Sequence, residues 1–255
     1  MICEGLRIGF EANPAELLAR LSSVFAPGSI PTDFAKLDFA YSLSLEPQGH
    51  SYAAYFGSVA LVKTTSLEIA LSSIATSVQH TVAKHSRRHL FLHAGVIGWR
   101  GKAVLFPGRT FTGKSTLVRA LIRAGAVYFS DEFARIDASG LVHPFPRPLS
   151  LRCREGRILV RPEDEGIEIA SGPSTVGAIV IARYKTDALW DPCRLSRGHA
   201  MLELLSNSVA VRSDPAKAMR LMRTLASTGV AIRSFRGDAE ATAPVVLKTL
   251  DDLMN

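Results

Sequence analysis

One run of eight residues constrains this chain more than any other: Gly108-Arg109-Thr110-Phe111-Thr112-Gly113-Lys114-Ser115. It fills every fixed position of G-x-x-x-x-G-K-[ST], a pattern that chance places in about one chain in a hundred of this length at ordinary residue frequencies. The flanks strengthen it. Ala103 to Phe106 is a short apolar run that predicts a buried strand. After the loop, Leu117, Val118, Leu121 and Ile122 recur at the spacing of one helix face from Lys114 to Ala124, and Gly125 is a C-terminal stop. A strand that aims a loop, glycines that let the backbone bend closely, and helix N–H groups facing the bend together make an anion cradle. Gly108 to Thr116 are therefore expected to hold the phosphates of ATP. Lys114 would contact the β and γ phosphates, and Ser115 would ligate Mg²⁺.

Upstream, Leu90 to Trp99 predicts a strand that turns at Arg100-Gly101-Lys102 and returns into the loop, forming a hairpin. Downstream, Ala126 to Ser130 predicts another strand, ending at Asp131-Glu132. Arg135 to Val142 reads as a hairpin turning at Ser139-Gly140. Two carboxylates one strand beyond the loop helix can supply a Mg²⁺ contact and a base for a hydroxyl proton, which makes Asp131 and Glu132 candidates for both roles. Strand Val176 to Ala182, helices Ala200 to Ala210 and Asp214 to Ser227, strand Val230 to Phe235 and helix Ala239 to Leu253 complete an α/β pattern. Arg233 and Arg236 are candidate second cations for the transferring phosphate, with Arg147 and Arg152 next.

Residues 1–88 read as an α+β extension: a helix at Ala15 to Val24, strand-like stretches at Ala40 to Leu45 and Ser51 to Val62, and a lead-in helix from Ser66 to Lys84. The core is then residues 89–255. The net charge of +7 suits an anionic partner. Its densest cluster, Lys84 to His89, reads first as cations closing a helix C-terminus, and no aromatic-interleaved basic track supports nucleic acid. No apolar run reaches the roughly 18 residues of a membrane span, and Met1 to Pro14, which carries Glu4, Arg7 and Glu11, has no uninterrupted apolar stretch long enough to be expected as a signal peptide. Cys3, Cys153 and Cys193 fit neither a disulfide framework nor a zinc site, so a cytoplasmic protein is expected.

Together these features resemble the bacterial HPr kinase/phosphorylase. In that family a Leu-His-Gly stretch opens the hairpin that feeds the phosphate loop, and a helix and strand lead on to an acidic pair. Here the opening stretch is Leu92-His93-Ala94-Gly95; His93 lies fifteen residues before Gly108, and Asp131 follows Gly108 by twenty-three. The resemblance, over Leu90 to Ile136, implies a P-loop HPr-kinase-like core of mixed sheet and flanking helices. It puts His93 beside the transferred phosphate and makes Asp131 the base. Glu132 stands where the family has a second aspartate, and Leu149-Ser150-Leu151-Arg152 follows the prolines where the family has an arginine- and glycine-rich signature. Divergent relatives associated with ribosomally made peptides resemble this layout more closely, which implies a serine hydroxyl of a protein or peptide as acceptor, and the family implies a homo-oligomer. The leading expectation is a Mg-dependent kinase. A nucleotide-binding regulatory module without turnover is second, and a nucleic-acid-linked ATPase third.

Overall fold

The computed structural model describes the chain except residues 34, 47–49, 109–111, 148, 154–155, 161, 163–164, 210, 212–213 and 255, and except the side chains of 149–160. It divides into two compact units, Met1–Arg88 and His89–Asn255.

In the first unit, strands β1 (Ile2–Cys3), β2 (Leu6–Asn13), β3 (Phe39–Leu45), β4 (Tyr52–Phe56) and β5 (Val59–Thr64) form one sheet in that order. Helix α1 (Leu18–Leu21) sits within a helical stretch extended by 3₁₀ turns at Ala15–Leu17 and Ser22–Val24. β2 lies outside the expected elements, although Leu6, Ile8 and Phe10 alternate with Arg7, Gly9 and Glu11. Ser51 to Val62 is a hairpin rather than one strand, because Gly57, at φ 55°, lets the chain reverse. Helix α2 (Leu67–His85), capped by Ser66 Oγ accepting from Ile69 N–H, packs Ile74, Val78 and Val82 into the core with Ile8 and Leu43. Lys84 and His85 close its last turn, and Arg87 pairs with Asp38.

The second unit is a mixed sheet with helices on both faces. β6 (Leu90–Trp99) and β7 (Lys102–Pro107) form an antiparallel hairpin whose two turn residues, Arg100 and Gly101, both have positive φ, matching the right-handed strand twist. After the loop, α3 (Lys114–Arg123) buries Leu117, Val118, Leu121 and Ile122. It ends in a Schellman closure: Gly125 N–H donates to Ile122 O, Ala126 N–H donates to Leu121 O, and Gly125 takes φ 104°.

β8 (Val127–Ser130) and β9 (Phe133–Ile136) both pair with β6 on the edge away from β7, and β10 (Val142–His143) follows β9 outward. β11 (Leu149–Cys153) and β12 (Gly156–Val160) make a separate hairpin. β13 (Val176–Tyr184) adds parallel to β7; past β14 (Cys193–Arg194), α4 (Arg197–Ser206) and α5 (Pro215–Thr228), β15 (Val230–Arg236) adds parallel to β13, with β14 antiparallel on its far side. Helix α6 (Ala239–Met254) closes the chain.

Alternation sorts the sheet into two faces. Leu105, Ile179 and Ala231 pack with α4 and α5; Val104, Val180 and Ile232 pack with α3 and α6. The parallel strands β7, β13 and β15 all end at one edge, the edge where ligands bind in sheets of this kind. Among the described residues no helix is long and apolar enough to cross a membrane.

Candidate functional site

Three backbone features hold the loop at that edge. Gly108 N–H donates to His93 O at 3.2 Å, tying the loop's first residue to β6. Gly113 caps α3 in the left-handed region, at φ 80°. Thr112 and Lys114 also stand close to Gly108: a Cβ there would lie 3.0 Å from Thr112 Oγ1 and 3.5 Å from Lys114 Cδ. Arg109, Thr110 and Phe111 lie outside the described residues. Ser115 is half-buried and Thr116 exposed at the start of α3.

Gly95 explains how α3 comes so close. A Cβ there would fall 2.6 Å from Val118 Cγ2, so only a bare backbone lets the helix seat on β6. Across the sheet the pairing places Ser130 opposite Val96 and Phe133 opposite His93, so Asp131 falls opposite Gly95 in the same register. Asp131 and Glu132 directly follow the end of β8, the strand-end position expected of them, and fill the interruption before β9, stitched to β6 by Ala94 N–H donating to Glu132 O.

Asp131 is 5% exposed. Its carboxylate accepts a hydrogen bond from Ser115, while Oδ1 has no partner among the described residues. Burial pushes its pKa up; the Ser115 hydrogen bond and the charges of Arg147 and Lys114 pull the other way, and the Glu132 charge adds to the rise. Lys114 is half-buried. Burial pushes its ammonium down, and the charges of Asp131 and Glu132 oppose this. A buried carboxylate raised and a neighbouring lysine lowered make this edge a candidate functional site.

Glu132 is less available. Its carboxylate is paired with Arg147, whose carbonyl is in turn held by Tyr128 OH at 2.8 Å. The acidic pair thus splits into one open and one neutralised group. His93 is half-buried with its ring 4.7 Å from Phe133. Its backbone ties the site together, accepting from Gly108 N–H and donating to Asn207 O at 2.8 Å.

The two expected arginines part company. Arg233 and Arg236 are three apart on one strand and project to opposite faces. Arg233 pairs with Glu203 on α4 and faces away from the loop, which removes it as a phosphate cation. Arg236 faces the loop, but it is 3% exposed and its guanidinium donates to Gly113 O at 2.8 Å and to Gly237 O at 2.9 Å. It braces the loop from behind. The Arg152 side chain lies outside the described residues.

Gly113→Ala should therefore be severely destabilising. The new Cβ would lie 2.4 Å from Arg236 Nη2, and the residue would be held at φ 80°. Left-handed backbone costs roughly 1 to 2 kcal/mol and overpacking a similar amount. A urea midpoint equal to wild type would contradict this close fit.

Size alone points elsewhere. A cavity of about 520 Å³ opens beside the hairpin turn, at the opposite end of β6 and β7, lined by Trp99, Lys102, Phe129 and Glu168 among others. The polar groups of Trp99 and Arg100 there are already bonded to Asp251. A small cleft at the loop is lined by Pro107, Thr112, Gly113, Lys114 and Arg236.

The donors suit a hard cation and a phosphate chain. Ser115 and Asp131 present oxygen, and Asp131 Oδ1 is a buried acceptor lacking a donor among the described residues. Among the described residues no group of three or more His, Cys, Asp or Glu gathers as a metal site, so Mg²⁺ held here would complete its shell with phosphate and water oxygens. Of the cysteines, Cys3 and Cys193 are free thiols; the Cys153 side chain lies outside the described residues. A scan against protein-family models gave no match for this chain, and a search of curated proteins gave none either.

Proposed function

We propose that this chain is a Mg-dependent kinase with a P-loop core of the HPr-kinase type, transferring the γ-phosphoryl group of ATP to a serine hydroxyl of a protein or peptide. The observation that carries the reading is Asp131: a carboxylate 5% exposed, bonded to Ser115 and keeping one oxygen without a partner among the described residues, beside Lys114 at the start of α3. Burying such a group is costly unless something else is to meet it. The resemblance of Leu90 to Ile136 to the kinase family supplies the reaction class.

In this reading Ser115 and Asp131 hold Mg²⁺, which when bound neutralises charge across the phosphates. Lys114 and the amides at the start of α3 hold the phosphate chain. Asp131 accepts the acceptor's proton as its hydroxyl oxygen bonds to the γ-phosphorus and the bond from that phosphorus to the β,γ-bridging oxygen breaks, leaving ADP. Arg147 neutralises Glu132 and so limits the negative charge facing the phosphates.

That same pairing favours a second reading, a regulatory module that binds nucleotide without turnover, because only one carboxylate is left for both metal and proton. Incubation with γ-labelled ATP, Mg²⁺ and candidate acceptors encoded by neighbouring genes, followed by mass spectrometry, separates the two. Labelled phosphoserine on an acceptor supports the kinase. Tight Mg-ATP binding with no transfer supports the module. Failure to bind Mg-ATP sinks both.

A further inference from the structure

β13 is buried from Val176 to Ile181 and then emerges at the loop edge, where Tyr184 is 57% exposed. Tyr184 stands opposite Arg236 in the parallel register, and the Arg236 guanidinium lies over its ring, 5.3 Å from the centroid. The same guanidinium donates to Gly113 O at 2.8 Å. The ring and the phosphate loop are thus one side chain apart, joined by a cation that is 3% exposed and has two donors committed to backbone carbonyls.

That arrangement is a rigid shelf. One ring face is backed by a fixed planar cation, and much of the remainder is open on the edge where the loop opens. Arg236 is too buried to meet a ligand itself. Among the described residues, the other large exposed ring at this edge is Phe235, 53% exposed, which pairs in register with Arg183 and projects to the face that carries Arg233 and Glu203. Tyr184 alone of the two stands on the loop's face. Gly237, next in the chain after Arg236, packs so closely under the segment that follows β13 that a Cβ would lie 2.7 Å from Ala188 O, which holds this corner in place.

We propose that Tyr184 is the stacking platform for the purine base of the nucleotide, set beside the phosphate loop by the Arg236 guanidinium that also donates to Gly113 O. The inference rests on the reading of Gly108 to Ser115 as a triphosphate site. Stacking one base on an aromatic ring is worth about 10-fold or more in affinity and is indifferent to the phosphates.

Calorimetric titration of wild type, Tyr184→Ala and Tyr184→Phe with Mg-ATP and with Mg-tripolyphosphate tests it. Tyr184→Ala is expected to weaken Mg-ATP on the order of 10-fold and to leave Mg-tripolyphosphate unchanged, while Tyr184→Phe binds both like wild type. Equal weakening of both ligands by Tyr184→Ala, or no weakening of either, overturns the subsite. Wild type binding ATP no more tightly than tripolyphosphate overturns it too, while the loop assignment survives. Wild type binding neither removes the loop reading and the subsite with it.

Discussion

Replacing Asp131 by asparagine is expected to abolish phosphoryl transfer and, at the same time, to make the nucleotide-free protein more stable. The amide keeps the shape and can still accept from Ser115, but it cannot take the acceptor's proton, so turnover should fall by roughly 10²- to 10⁴-fold with Mg-ATP affinity changed only a few-fold. The stability gain follows from burial. Asp131 titrates above its ordinary value in the folded protein. Between its unfolded pKa of about 4 and that raised folded value, the folded state binds more protons than the unfolded state, so wild-type stability falls as pH rises through this window. The asparagine does not titrate. The gap in melting temperature should therefore open from about pH 4 upward and level off above the folded pKa. Its final size depends on how far burial weakens the acid, each tenfold weakening being worth about 1.4 kcal/mol. Single-turnover kinetics and melting curves at several pH values check both halves. A variant with the wild-type rate, or a stability gap that ignores pH, would remove Asp131 from its proposed place.

Lys114→Ala should cost most of the nucleotide affinity and little of the fold. A charge-assisted contact to phosphate is worth about 1.5 to 3 kcal/mol, which is roughly 10- to 100-fold in binding. The ammonium is itself disfavoured by burial and supported by Asp131 and Glu132, so its removal exchanges one electrostatic cost for another. The melting temperature should move by only a few degrees. Titration of Mg-ATP onto both proteins decides it, and equal affinities would contradict the assignment of the loop.

Much of the second unit was legible because its signals are local. The hairpin at Arg100-Gly101, the face of Leu117, Val118, Leu121 and Ile122, and the stop at Gly125 are each written within one turn or one strand, and each is where it was expected. β2 escaped although its alternation was plain, because Gly9 and Glu11 weaken its strand propensity and a parallel partner, β3, supplies the stability. The Glu132 to Arg147 pair escaped for another reason. An acidic pair in sequence reads as two equivalent groups, and only a partner fifteen residues away makes them unequal.

Sequence alone determined the kind of chemistry this edge can hold. Glycine spacing, a lysine and a serine at a helix start, and a carboxylate one strand on are local covalent facts, and the backbone rules that act on them reach no further than a few residues. Tertiary structure decided which groups share the space. Arg233 and Arg236 are indistinguishable as letters in the chain. Their fates differ because side chains alternate along a strand, and because β15 joins β13 in one register, which brings Arg236 to a carbonyl 123 residues away and Arg233 to a glutamate on the opposite face.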